Sequence, residues 1–151
     1  MISAFKFALR TSARPEDERL LVASWAAQLR QVSPWRSYPD LAEAYKNRVM
    51  VPLVRQAERL IVTSPEDDDH IHAWCLYTRH DERLRAIHML YVLDYYRHAG
   101  LGRMMVDLVR GDGTAVYTHQ TRAAPEFARR VRVLYWPQLA TWRGGSDEEK
   151  Q

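Results

Sequence analysis

Between residues 91 and 106 the chain reads YVLDYYRHAGLGRMMV. A β-rich run passes into two glycines one residue apart, Gly100 and Gly102, and an apolar helical pattern follows at once. Glycine permits backbone angles that a Cβ forbids and lets a ligand come close to the chain. A turn that opens a helix also leaves several N–H groups unpaired at the positive end of the helix dipole, which suits a pyrophosphate. The same two glycines also fit a tight turn with no ligand. No Lys-Ser/Thr pair follows, as a P-loop requires, and the third glycine of a dinucleotide fingerprint is missing. A second grouping, His70 and His72, shares a strand face at a spacing that zinc could use, beside Asp67, Asp68 and Asp69. That acidic run lacks the glycine and distal glutamate of a calcium loop, and no further ligand set is evident, so a solvated hairpin and no metal are expected.

The elements that must carry such a turn belong to one domain over residues 1–143, with 144–151 as a polar tail. A chain of 151 residues is long enough to bury a core, and 46% apolar with 27% charged residues is an ordinary globular composition. No stretch approaches the roughly 20 apolar residues of a membrane helix. The opening MISAFKFALR lacks the apolar core and cleavage site of a signal peptide. Cys75 is the single cysteine, which rules out an intramolecular disulfide, and a cytoplasmic location is expected. The net charge of +3 rests on 22 basic residues, of which only Lys6, Lys46 and Lys150 are lysines. The arginines are scattered apart from Arg129, Arg130 and Arg132, which argues against a nucleic-acid partner.

Periodicity then assigns the elements. Residues 2–9 alternate around Phe5, Phe7 and Leu9 as a strand. Pro15, followed by Glu16, Asp17 and Glu18, starts a helix that presents Leu21, Trp25, Leu29 and Val32 along one side. A second helix opens near Pro39 and presents Leu41, Tyr45, Val49 and Leu53, with a kink or break expected just before Pro52. The period changes to two over 59–64, 70–79 and 83–93, three strands of an antiparallel meander. A helix over 100–110 stops at Gly111 and Gly113. A strand at 114–120, a short helix at 124–131 and a last strand at 133–142 complete the order β-α-α-β-β-β-α-β-α-β. That order implies an α/β (α+β) fold with a mixed, mostly antiparallel central sheet flanked by helices.

The stretch LYVLDYYRHAGLGR resembles the acetyl-CoA-binding segment of the GNAT N-acetyltransferase superfamily. The family pattern is a strand, a short turn, an aromatic, then Arg or Gln-x-x-Gly-x-Gly or Ala. Arg97-His98-Ala99-Gly100-Leu101-Gly102 fits each constrained position, with Tyr96 as the aromatic and Asp94 in the turn. The resemblance is specific over residues 59–110. The segments Ser24-Trp25 and Ser33-Pro34-Trp35 also resemble small members of the family encoded by bacteriophages. The resemblance implies acetyl-CoA as acyl donor, with backbone groups of Leu90, Tyr91 and Val92 along the acyl and pantetheine arm. It implies that amides from His98 to Arg103 hold the pyrophosphate, and that the strand at 90–92 splays from the strand beginning near Thr114.

The family's asparagine and general-acid tyrosine fall on Thr121 and Ala128, and its Gly-Phe on Arg132-Val133, so these three marks are absent. Substitutes for the chemistry are His88, expected on the face of Leu90 as a general base near neutral pH, and His119 and Tyr117 across the splay. Tyr135 lies on the final strand, and Tyr91 is expected opposite His88. The expected activity is transfer of an acetyl group to a primary amine by direct attack in a ternary complex. The alternatives are a non-catalytic CoA-binding or regulatory protein of the same fold, and an arginine-rich nucleic-acid binder. The family commonly has two strands after the final helix where this chain has one, so that strand is expected to pair with a second copy in a homodimer.

Overall fold

The computed structural model describes residues 7–12, 14–93 and 100–140. Strand β1 spans Ala8–Arg10, and residues 2–6 of the strand expected at 2–9 lie outside the described residues. Pro15 fixes the first turn of α1, Pro15–Leu29, and the three acidic residues follow it. One of them, Asp17, does more than face the dipole. It is buried against Arg10, whose guanidinium donates to both carboxylate oxygens at 2.6 and 3.2 Å. That pair ties β1 to α1.

The second helical run is divided into α2, Pro39–Tyr45, a π-helical stretch, Lys46–Met50, and α3, Val51–Gln56. Pro52 has no N–H, and its ring crowds the carbonyl four residues back. The wide turn just before it absorbs that misfit, with the Val51 N–H bonded to the Lys46 carbonyl. The buried face lies one position on from the expected one, both before and after that turn. Ala42, Met50 and Val54 are buried, whereas Leu41 is 49% exposed.

Strands β2, Glu58–Ser64, β3, Asp67–Arg79, and β4, Leu84–Val92, form the expected antiparallel meander. Helix α4, Leu101–Arg110, ends at Gly111, whose φ of +54° is glycine's region. Strand β5, Thr114–Tyr117, runs parallel to β4, and α5 spans Ala124–Val131. The sheet order is β1-β2-β3-β4-β5-β6, antiparallel through β4 and parallel beyond. The last strand is much shorter than 133–142: β6 is Leu134–Tyr135, and Pro137–Ala140 turn into a 3₁₀ helix. Pro137 has no N–H for the ladder, so pairing stops before it.

Each face of the sheet carries a core. Leu60, Val62, Cys75, Met105, Val109 and Val131 pack between the sheet and α4 and α5. Leu21, Trp25, Met50, Val54, Ile61, Trp74 and Leu76 pack between the other face and α1 to α3. Successive residues of β2 and β3 thus serve opposite cores, as the strand period demands. Among the described residues no helix is long and apolar enough to cross a membrane.

Candidate functional site

The ladder between β4 and β5 is short. Pairing runs from Leu84↔Thr114 to Ile87↔Tyr117, and the Thr118 N–H makes one more bond to the Ile87 carbonyl at 3.0 Å. The ladder ends at Ile87↔Tyr117, whereas β4 itself runs on to Val92. The strands part there, and the gap widens into a cavity of about 530 Å³. This is the size range of small-molecule sites.

One wall is β4 itself, with Leu90, Tyr91 and Val92. A second is the first turn of α4, with Gly100, Gly102 and Arg103, while Leu101 turns inward and is fully buried. Phe127 and Ala128 of α5 close that side, and Trp25, His119 and Tyr117 line the other. Arg97 of the motif, and His98 and Ala99 of the expected amide cradle, lie outside the described residues.

Both glycines have a definable reason to be glycine. Gly100 is the N-cap of α4 with φ +81°, and no described side chain caps the helix. A Cβ on Gly102 would stand 3.1 Å from Phe127 Cζ and 3.7 Å from Leu90 Cδ2. The first turn of α4 therefore sits close to β4 and α5, and its amides border the cavity at the positive end of a ten-residue helix.

His88 does not share the face of Leu90. Leu76 pairs with Met89 and the next residue, Tyr77, pairs with Ile87, so His88 is the extra residue of a bulge. The bulge interrupts the two-residue alternation, and His88 meets Thr78 and Thr118 instead. Tyr91 is consequently not set opposite His88 by simple alternation; it stacks on Trp74 at 4.7 Å. Both histidines border the cavity and both are buried. Burial, with the neighbouring His119 and His80, pushes His88 down to about 3. Burial alone pushes His119 down to about 4. Each imidazole is neutral at physiological pH, which corrects the expectation that His88 titrates near neutrality.

Tyr117 lines the cavity and packs against Tyr135 at 5.0 Å. His119 stands edge-on to Trp25 at 4.7 Å, and its Nε2 meets the Tyr45 hydroxyl. Tyr45, Thr78 and Thr118 are the side chains that sequence reasoning missed. No local pattern marks them, because Tyr45 and His119 are 74 positions apart. His70 and His72 both bond Ser64 Oγ, at 3.1 and 2.9 Å, and no metal-ligating group of three forms among the described residues.

No protein-family model matches the sequence, and no curated protein matches it. Solved structures do resemble it. A candidate GNAT-family acetyltransferase from Desulfovibrio desulfuricans superposes with a TM-score of 0.53 at 20% identity, over 84% of this chain and 82% of that one. YjaB from Escherichia coli gives 0.54 at 18% identity, over 84% and 82%. A GNAT-family acetyltransferase from Staphylococcus aureus gives 0.53 at 12% identity, over 83% and 82%. With the parted β4 and β5, the glycine-capped helix and the element order, these likenesses establish that the chain has the fold of the GNAT acetyltransferases.

Proposed function

We propose that the chain is an acyl-CoA-dependent N-acyltransferase that moves an acetyl group from acetyl-CoA to a primary amine by direct attack in a ternary complex. The observation that carries this reading is the cavity between β4 and β5, bordered at one end by the first turn of α4, which no described side chain caps. The amides of Leu101, Gly102 and Arg103 suit the pyrophosphate, where N–H groups and the dipole favour negative charge. The backbone of β4 past Ile87, where the ladder with β5 ends, borders the cavity and suits the pantetheine arm and the thioester oxygen. Holding amine and thioester side by side supplies most of the acceleration.

Calorimetric titration with acetyl-CoA, followed by release of free CoA against a panel of primary amines, tests the proposal. Saturable binding with turnover on at least one amine is expected. No heat at millimolar acetyl-CoA refutes it. A second reading, a CoA-binding protein without turnover, is favoured by the methyl group of Ala128, which borders the cavity and holds no proton for a leaving thiolate. Binding without turnover on any amine would select it. A homodimer through β6 has support in the exposed Leu134, Tyr135 and Trp136 at that edge.

A further inference from the structure

Five side chains from four segments form one unbroken line of hydrogen bonds. Thr78 Oγ1 lies 2.8 Å from His88 Nε2, and His88 Nδ1 lies 2.9 Å from Thr118 Oγ1. Thr118 Oγ1 in turn lies 2.7 Å from His119 Nδ1, and His119 Nε2 meets the Tyr45 hydroxyl. The three inner members, His88, Thr118 and His119, are buried, while Tyr45 and Thr78 at the two ends are partly exposed residues. His88 and His119 are also cavity wall.

Resting on the acyltransfer reading, we propose that this line is a proton relay, which takes the proton shed by the acceptor amine at Tyr45 and releases one at Thr78. In the starting state the Tyr45 O–H donates to His119 Nε2, and the His119 Nδ1–H donates to Thr118. Thr118 donates to His88 Nδ1, and the His88 Nε2–H donates to Thr78. When the amine attacks, its N–H bond breaks with the electron pair left on nitrogen, and a new O–H bond forms on Tyr45. Each link passes on the proton it held and takes the one offered. One proton has entered, one has left through the Thr78 hydroxyl, and no link ends charged. Rotation of the three hydroxyls and exchange of the two tautomers reset the line.

Two properties of the site fit this role. A relay imidazole must be neutral, with one nitrogen bare and one protonated, and burial holds both histidines in that form. The Tyr45 hydroxyl is pushed up to about 12 by its own burial, so it keeps its proton until the line accepts it. The geometry also imposes a rule. Thr118 has one hydrogen to give and faces an Nδ1 on either side, so one imidazole accepts from it and the other donates to it. In an unbroken line the two histidines must therefore carry their protons on opposite nitrogens. The competing arrangement sends the Thr118 hydrogen to the Ile87 carbonyl, 3.5 Å away, and protonates both Nδ1 atoms. That arrangement conducts nothing.

Imidazole ¹⁵N spectra of the full chain at pH 7 test the rule, and steady-state rates with acetyl-CoA and the reactive amine test the role. Opposite tautomers are expected in the wild type. Tyr45→Phe should shift the His88 tautomer populations although the two residues do not touch, and Thr118→Val should abolish that response. Either variant should lower kcat at least about ten-fold with the KM for acetyl-CoA within about two-fold, as for lost proton transfer. The double variant should be no slower than the worse single one, because both interrupt the same line. Thr118→Ser, which keeps the hydroxyl, should restore both signals and controls for misfolding. Protons on the same nitrogen of both histidines, an unmoved His88 in Tyr45→Phe, or full kcat in Thr118→Val would each overturn the relay. A wild type that binds no acetyl-CoA would instead overturn the acyltransfer reading, and the relay would fall with it.

Discussion

Gly102 is where packing and ligand binding can be separated in one residue. Its ideal Cβ would stand 3.1 and 3.3 Å from two ring carbons of Phe127. Carbon pairs attract best at about 3.5–4.0 Å, so a methyl group asks that ring to yield by a few tenths of an ångström. Phe127 is only partly buried and can do so. Alanine gains up to about 1 kcal/mol over glycine in a helix, and a carboxylate near a helix N-terminus gains about 0.3–1 kcal/mol. The free forms of Gly102→Ala and Gly102→Glu should therefore melt within about 4 °C of the wild type, at about 2–4 °C per kcal/mol for this size. Ligand response should differ sharply. Acetyl-CoA at a hundred times its Kd stabilises the wild type by about 2.7 kcal/mol, or about 5–11 °C. A glutamate facing the pyrophosphate at about 4 Å costs about 4 kcal/mol at an effective dielectric constant near 20, a loss of roughly a thousand-fold in affinity. Scanning calorimetry at the same ligand concentration should then show a shift below about 1 °C in Gly102→Glu. A Glu variant that keeps the full wild-type shift refutes the placement of the pyrophosphate at α4.

Three further outcomes follow from the packing. Asp17→Ala leaves the Arg10 guanidinium buried without its partner, and urea unfolding should show a loss of about 3–5 kcal/mol. Arg132 closes α5 in the left-handed region at φ +61°, so Arg132→Gly should raise the urea midpoint by about 1 kcal/mol equivalent. Folded His88 and His119 titrate at about 3 and about 4, well below the ordinary 6.5. The unfolded chain thus binds more protons below pH 6.5, and stability should be full above that value and fall as pH drops towards 4 and 3. Each histidine should contribute a slope of about 1.4 kcal/mol per pH unit between pH 6 and 5. Urea midpoints at pH 7, 6 and 5 would measure it, and a slope that survives His119→Gln undiminished would sink the assignment.

What the sequence determined by itself was local. The period-two runs placed β2 to β4, glycine marked both ends of α4 and proline the start of α5, and the spacing of Gly100 and Gly102 located the turn beside the cavity. These features are legible because each depends on residues within one or two turns of the chain. Tertiary structure decided the rest. Pro52 was met by a π-helical stretch instead of a simple kink, and packing against the sheet buried Ala42 where Leu41 was expected. The bulge at His88 removed it from the face of Leu90, since register is a property of two strands and not of one. Burial, which no short window reveals, fixed both histidines as neutral. Side chains as far apart as Tyr45 and His119 became hydrogen-bonded partners only because α2 packs where β4 and β5 part. Contacts across that distance cost no local preference and therefore leave no mark in the local sequence.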